Sequence, residues 1–251
     1  MRTSMRLLLP LAAAAVPLAL VPAAANAASG SSYQTTLNPL NGSSGSGMAT
    51  LMLNGDHADI TLSWSGLPAT FGGGPYPHVQ HIHIGAAGAC PTRSADQNGD
   101  GVVSTTEGAP SYGGIGTTLS LKGDTSPKAG TDLKIAPGGS TLNYHRSITL
   151  SSDTVASLRK GTGVIVVHGL DPATLSKKAQ NEKSDLVPSL PLAATSPALC
   201  GVLTSMPSGG VATGTGSTAG AEDLGLLAGG AALVAVGGAG YALRRRAAVR
   251  A

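Results

Sequence analysis

His81 and His83, in Gln80-His81-Ile82-His83, stand two residues apart. On a β-strand that spacing points both imidazoles to one face. His78 precedes them, and His168 closes the apolar run Val164-Ile165-Val166-Val167. Neutral imidazoles paired on one face suit copper or zinc. The alternative is a set of hydrogen-bonded histidines at strand ends. His145, in Tyr144-His145-Arg146, is a further candidate ligand that spacing alone does not support.

A second constellation is built from oxygen. Asp96, Asn98 and Asp100 alternate, Gly101 follows at once, and Glu107 lies seven residues beyond Asp100. This fits the twelve-residue calcium loop position by position, with Val102 lending its carbonyl and Ser104 at the often water-mediated place. Carboxylate and amide oxygens suit a hard cation such as Ca²⁺. Cys90-Pro91 ahead and Gly108-Ala109-Pro110 behind predict a loop without flanking helices, so a structural staple is expected. An ordinary Asx-rich surface loop is the competing reading.

Period-two patterning dominates the surroundings. Ile60, Leu62 and Trp64 alternate with Thr61 and Ser63, after an Asn54-Gly55 turn signal. Short strands are predicted at 115–121, 141–150 and 163–168, the last buried on both faces. Only 172–183 reads as a short helix. Many short strands between Gly-rich turns predict an all-β Greek-key barrel or sandwich.

The ends define where that domain works. Arg2 and Arg6, an apolar run and Ala25-Asn26-Ala27 make a signal peptide over 1–27. A domain is expected over 28–204, a Gly/Ser/Thr-rich tether over 205–222 and a transmembrane helix over 223–243. A basic tail, 244–251, carries Arg244, Arg245, Arg246 and Arg250 on the cytoplasmic side. The protein is therefore expected at the plasma membrane with its domain outside the cytoplasm, where it could meet an extracellular protein partner. From Ala28 to Glu222, 10 Lys and Arg face 12 Asp and Glu, a net −2. Nothing in that balance resembles a nucleic-acid footprint. The two cysteines, Cys90 and Cys200, make an even count outside the cytoplasm and read as one disulfide.

At these residues the chain resembles bacterial chordin-like (CHRD) domain proteins. The resemblance is carried by Ser65-Gly66-Leu67, His81-Ile82-His83, Ala89-Cys90-Pro91-Thr92, the Asp/Asn/Gly loop, Gly108-Ala109-Pro110 and Val166-Val167-His168-Gly169. It spans roughly 33–203 and implies an all-β extracytoplasmic domain without an established activity. A fainter resemblance is to copper/zinc superoxide dismutases. It rests on His78 to His83, on Ile148-Thr149-Leu150-Ser151 leading to Val166-Val167-His168, and on Ala198 to Val202. It implies a Greek-key barrel with His81, His83 and His168 as copper ligands and Cys90 joined to Cys200. Two departures weaken the activity it implies. No His occurs from Ile84 to Tyr144 to bridge a second metal, and Pro197 stands where that family has its anion-guiding arginine. The expectation is a surface binding or structural module, with a dismutase-like copper oxidoreductase as the rival.

Overall fold

The computed structural model describes residues 30–207. The segments expected to be signal peptide, transmembrane helix and basic tail, and most of the expected tether, lie outside the described residues. Among the described residues no helix is long and apolar enough to cross a membrane.

Long strands open the domain: β1 (Ser31–Pro39), β2 (Ser46–Asn54) and β3 (His57–Ser65). Their side chains alternate as period two demands: Ala49, Leu51 and Leu53 on β2 are buried, whereas Met48, Thr50 and Met52 face out. On β3, Ala58, Ile60, Leu62 and Trp64 turn inward. The two strands pair from Ser46↔Ser65 to Asn54↔His57, so only Gly55 and Asp56 form the turn. Gly55 has φ +66°, which a glycine adopts without steric cost.

Beyond them lie β4 (Thr70–Phe71), β5 (Gly74–Pro75), β6 (Gln80–Ile84), β7 (Gly114–Thr118), β8 (Thr141–Thr149), β9 (Val164–His168), β10 (Pro197–Val202) and β11 (Thr204–Ser205). The main sheet runs β7-β6-β9-β10-β1-β2-β3-β8 with antiparallel pairing throughout. β1 turns the corner: residues 31–37 pair with β2, and Asn38 and Pro39 pair with β10. The sheet thereby curls into a half-barrel. Its two ends, β7 and β8, are not joined by a ladder. Instead Arg146 on β8 donates to the carbonyls of Ser120 and Gly123 in the segment after β7.

The concave side holds the main core, in which Leu37, Leu51, Ile60, Leu62, Ile82, Ile165 and Leu199 are inaccessible to solvent. Burying each such side chain contributes about 1.5–3 kcal/mol. β9 is buried along its whole length, as its unbroken apolar run requires. Its period of two splits it between two cores. Ile165 and Val167 enter the main one, while Val164 and Val166 join Tyr112 and Cys200 in a smaller one on the opposite side. Cys90 and Cys200 form a disulfide there, with Cα atoms 5.8 Å apart.

The helices depart from expectation. The segment 172–183 is divided into a 3₁₀ turn, Pro172–Thr174, and α3 (Lys177–Asn181), and the described residues hold three further α-helices: α1 (Thr105–Tyr112), α2 (Ser152–Arg159) and α4 (Leu192–Thr195). α2 is explained by local signals that strand periodicity masks. Ser151 caps it by accepting from Thr154 N–H, Asp153 and Arg159 suit its dipole, and Val155 and Leu158 are buried. β7 is also shorter than the predicted 115–121: Leu119 N–H makes a last bond to Gln80 O at the start of β6, and Leu121 N–H turns to Ile135 O instead.

Candidate metal centre

β6 lies between β7 and β9, and register decides what its histidines meet. His81 pairs with Val166 and His83 with Val164. Ile82 faces the main core, so His81 and His83 face the opposite side, the side to which Val164 and Val166 also turn. His168, two residues beyond Val166, shares that face. Ring centroids are then 5.5 Å apart for His81–His83, 5.3 Å for His81–His168 and 5.9 Å for His83–His168. One ligand nitrogen from each ring lies within 4.8 Å of the others. Among the described residues this is the one group of three or more His, Cys, Asp or Glu that converges so.

Each ring is held from behind by a backbone carbonyl. His81 Nε2 donates to Gly130 O at 2.9 Å, His83 Nδ1 to Gly113 O at 2.8 Å and His168 Nδ1 to Thr195 O at 2.6 Å. A neutral imidazole has one N–H, so these bonds fix the tautomers and leave the other nitrogens as bare lone pairs. Those nitrogens, His81 Nδ1, His83 Nε2 and His168 Nε2, are buried and have no hydrogen-bond partner. Leaving a buried polar atom unpaired costs about 1–3 kcal/mol. Three in one place is a large departure from ordinary packing.

Burial keeps the rings uncharged. It lowers His83 to about 4 and, with the neighbouring His83, lowers His168 to about 3. His81 is held well below the usual imidazole value by burial and by both other rings. Neutral lone pairs are what a transition metal requires. A metal at ~2.0–2.1 Å from each nitrogen sets N···N separations of about 3.5 Å, so binding asks the rings to close by roughly 1.3 Å at most. The donor set therefore fits.

His78 does not belong to the group. Its Nδ1 and Nε2 lie 2.9 Å from His168 O and Pro68 O, so neither nitrogen is free. Gly169 makes room for it, since a Cβ there would stand 2.6 Å from His78 Nδ1. His145 is excluded too: it points outward from β8, on the exposed side of the strand.

Two of the three carbonyls belong to glycines, and the close approach requires them. A Cβ on Gly113 would collide with Ile84 O, and one on Gly130 with Ile115. Gly113, Gly130 and Thr195 escape a reading of the sequence because they act through main-chain atoms. Thr195 O also accepts from Thr105 Oγ1, 2.5 Å away, which ties α1 to the histidine site.

α1 emerges from the oxygen-rich loop, a correction to the expectation of no flanking helix. Ser104 caps it, with Glu107 returning a bond to Ser104 N–H at 2.9 Å. The sequence signal was Ser104-x-x-Glu107, a capping box as well as the end of a calcium pattern. Pro110 lies inside this helix, beyond its first turn, where its missing N–H forgoes one intrahelical bond. On the entry side there is only a 3₁₀ turn, Arg93–Ala95. Within the loop, Asp96 accepts from Gly99 and Gly101, Asn98 Oδ1 from Asp100 N–H, and Asp100 Oδ1 from Val102 N–H. Glu107 also accepts from Gln97 N–H. Asp100 is buried, and a hydrogen bond with it raises the carboxyl of Glu182, a residue outside the twelve-residue pattern.

The three histidines open into a cavity of about 370 Å³, walled by α1, β7 and the 127–131 turn. No protein-family model matches the chain, and no curated protein matches it.

Proposed function

We propose that this domain is a three-histidine copper-binding module of the chordin-like kind, exported and held at the plasma membrane by the C-terminal segment. The observation that carries the reading is the set of three converging, partnerless, neutral imidazole nitrogens. Imidazole suits copper and zinc, copper(II) binds nitrogen sites more tightly in the divalent series, and the superoxide dismutase resemblance of the same residues favours copper.

When bound, copper would supply a Lewis-acidic, one-electron redox centre. His81, His83 and His168 would hold it. The carbonyls of Gly130, Gly113 and Thr195 orient the rings and raise their basicity.

Binding is favoured over superoxide dismutation. No Lys or Arg lines the cavity to draw in an anion. Pro197, buried at the start of β10 opposite His168, stands where a guiding arginine would be required. The Greek-key arrangement belongs to this reading as well: β6, β9, β10 and β1 lie side by side although far apart in sequence.

A calcium ion in the 96–107 loop is the second part of the proposal. Asp96, Asn98, Asp100, Val102, Ser104 and Glu107 would bind it, and the contact between buried Asp100 and Glu182 favours a divalent cation there.

Metal analysis of the purified full-length protein tests the copper reading. One copper per chain is expected, falling to none in His81→Ala and His168→Ala variants that keep their disulfide and cooperative melting. Copper content unchanged in both variants would overturn it. Superoxide consumption by copper-loaded protein should be no faster than by His81→Ala.

A further inference from the structure

His81, His83 and His168 line a cavity, and its volume, about 370 Å³, far exceeds what a water or a diatomic molecule fills. At the ~30 Å³ that one water occupies in the liquid, the space corresponds to about a dozen non-hydrogen atoms. Its walls are largely small or apolar, among them Val79, Ala109, Ile115 and Pro127. Leu186, half exposed, stands at the rim. No Lys, Arg, Asp or Glu lines it.

Resting on the copper reading above, we infer that this cavity takes a neutral small molecule with a largely apolar body and one lone-pair nitrogen, oxygen or sulfur that reaches the metal. Volume, lining and metal each narrow the ligand. A body of about a dozen heavy atoms is within the range of small-molecule pockets, which are mostly apolar with a few placed polar groups. A charged body would give up its hydration and meet no compensating side chain. An apolar body loses nothing and removes the walls from water. The three imidazoles would hold the metal that anchors this lone pair, and the remaining polar side chains of the lining are the neutral hydroxyls of threonines.

α1 sets the width. Ala109 is a wall residue on this helix, and its small side chain leaves the space that a larger one would fill. Because Thr105 of the same helix is bonded to the carbonyl that orients His168, wall and histidine are held in one unit.

The test uses copper-loaded full-length protein titrated with imidazole and with 4-phenylimidazole, followed by the copper(II) absorption and paramagnetic resonance spectra. Both probes present the same neutral nitrogen, and only one carries an apolar body. 4-Phenylimidazole should bind about tenfold tighter or more, from burial of its phenyl face. Ala109→Phe should remove that preference while copper is still taken up, and a preference that persists in a copper-loaded Ala109→Phe protein would overturn the inference. Equal affinities of the two probes in the unsubstituted, copper-loaded protein would overturn the inference alone. Failure to take up copper would instead overturn the metal reading on which it rests.

Discussion

Acid should destabilise the metal-free domain through its histidines. The perturbation is a shift from pH 7.5 to pH 5.0 in the presence of EDTA. In the unfolded chain each imidazole titrates near 6.5, whereas in the fold burial holds His83 at about 4 and His168 at about 3. Folded values lie below unfolded ones, so the unfolded state binds more protons in between. Stability is then complete above pH 6.5 and declines as the pH falls from there toward 4 for His83 and toward 3 for His168. At pH 5.0 each ring is ~1.5 units below its unfolded value and still neutral in the fold. Each therefore costs about 2 kcal/mol, and the two together about 4 kcal/mol. For a domain of this size that is a fall in Tm of roughly 8–16 °C. His81, lowered for the same cause, acts in the same direction. Circular dichroism melts at the two pH values measure it. His83→Phe removes one of the two groups, so its acid-induced loss should be smaller by about 2 kcal/mol. A Tm that does not move between pH 7.5 and 5.0, or an equal drop in the parent and in His83→Phe, would refute the reasoning.

Three other outcomes are expected. Reducing Cys90–Cys200 opens a crosslink spanning 110 residues; chain entropy assigns a loop of about 100 residues ~4.7 kcal/mol, so melts with and without reductant should differ widely. Gly130→Ala places a Cβ 3.3 Å from His81 Nε2 and against Ile115, and should weaken copper binding about 10–100-fold in competition titrations while the disulfide persists. Calcium at about 100 times its Kd should raise stability by ~2.7 kcal/mol over EGTA, and Glu107→Gln should shrink the difference; identical melts in the two buffers remove the calcium proposal.

Much of this architecture was legible along the chain. The alternation of Ile60, Leu62 and Trp64 gives β3 and its buried face, Asn54-Gly55 gives its turn, and the run Val164–Val167 gives a strand covered on both sides. Spacing alone puts His81 and His83 on one face, and two cysteines allow one bridge. These are local properties: side-chain period and backbone preference act within a few residues, so residue order suffices to determine them. α1 and α2 were equally local, written in the caps Ser104-x-x-Glu107 and Ser151, but Gly108 and Pro110 pointed to a loop at α1 and the preceding strand pattern masked α2.

The site itself was decided in three dimensions. His168 joins His81 and His83 only because β9 pairs with β6 in the register His81↔Val166, and a slip of one residue would turn it to the main core. Residue types do not record that register. Nor do they record the carbonyls of Gly113, Gly130 and Thr195, since every residue has one and only the folded backbone aims it. The lone pairs are left bare by those bonds, and the rings are kept neutral by burial. Sequence determined which side chains were available for a metal; long-range pairing and the direction of main-chain oxygens determined that three of them face one another.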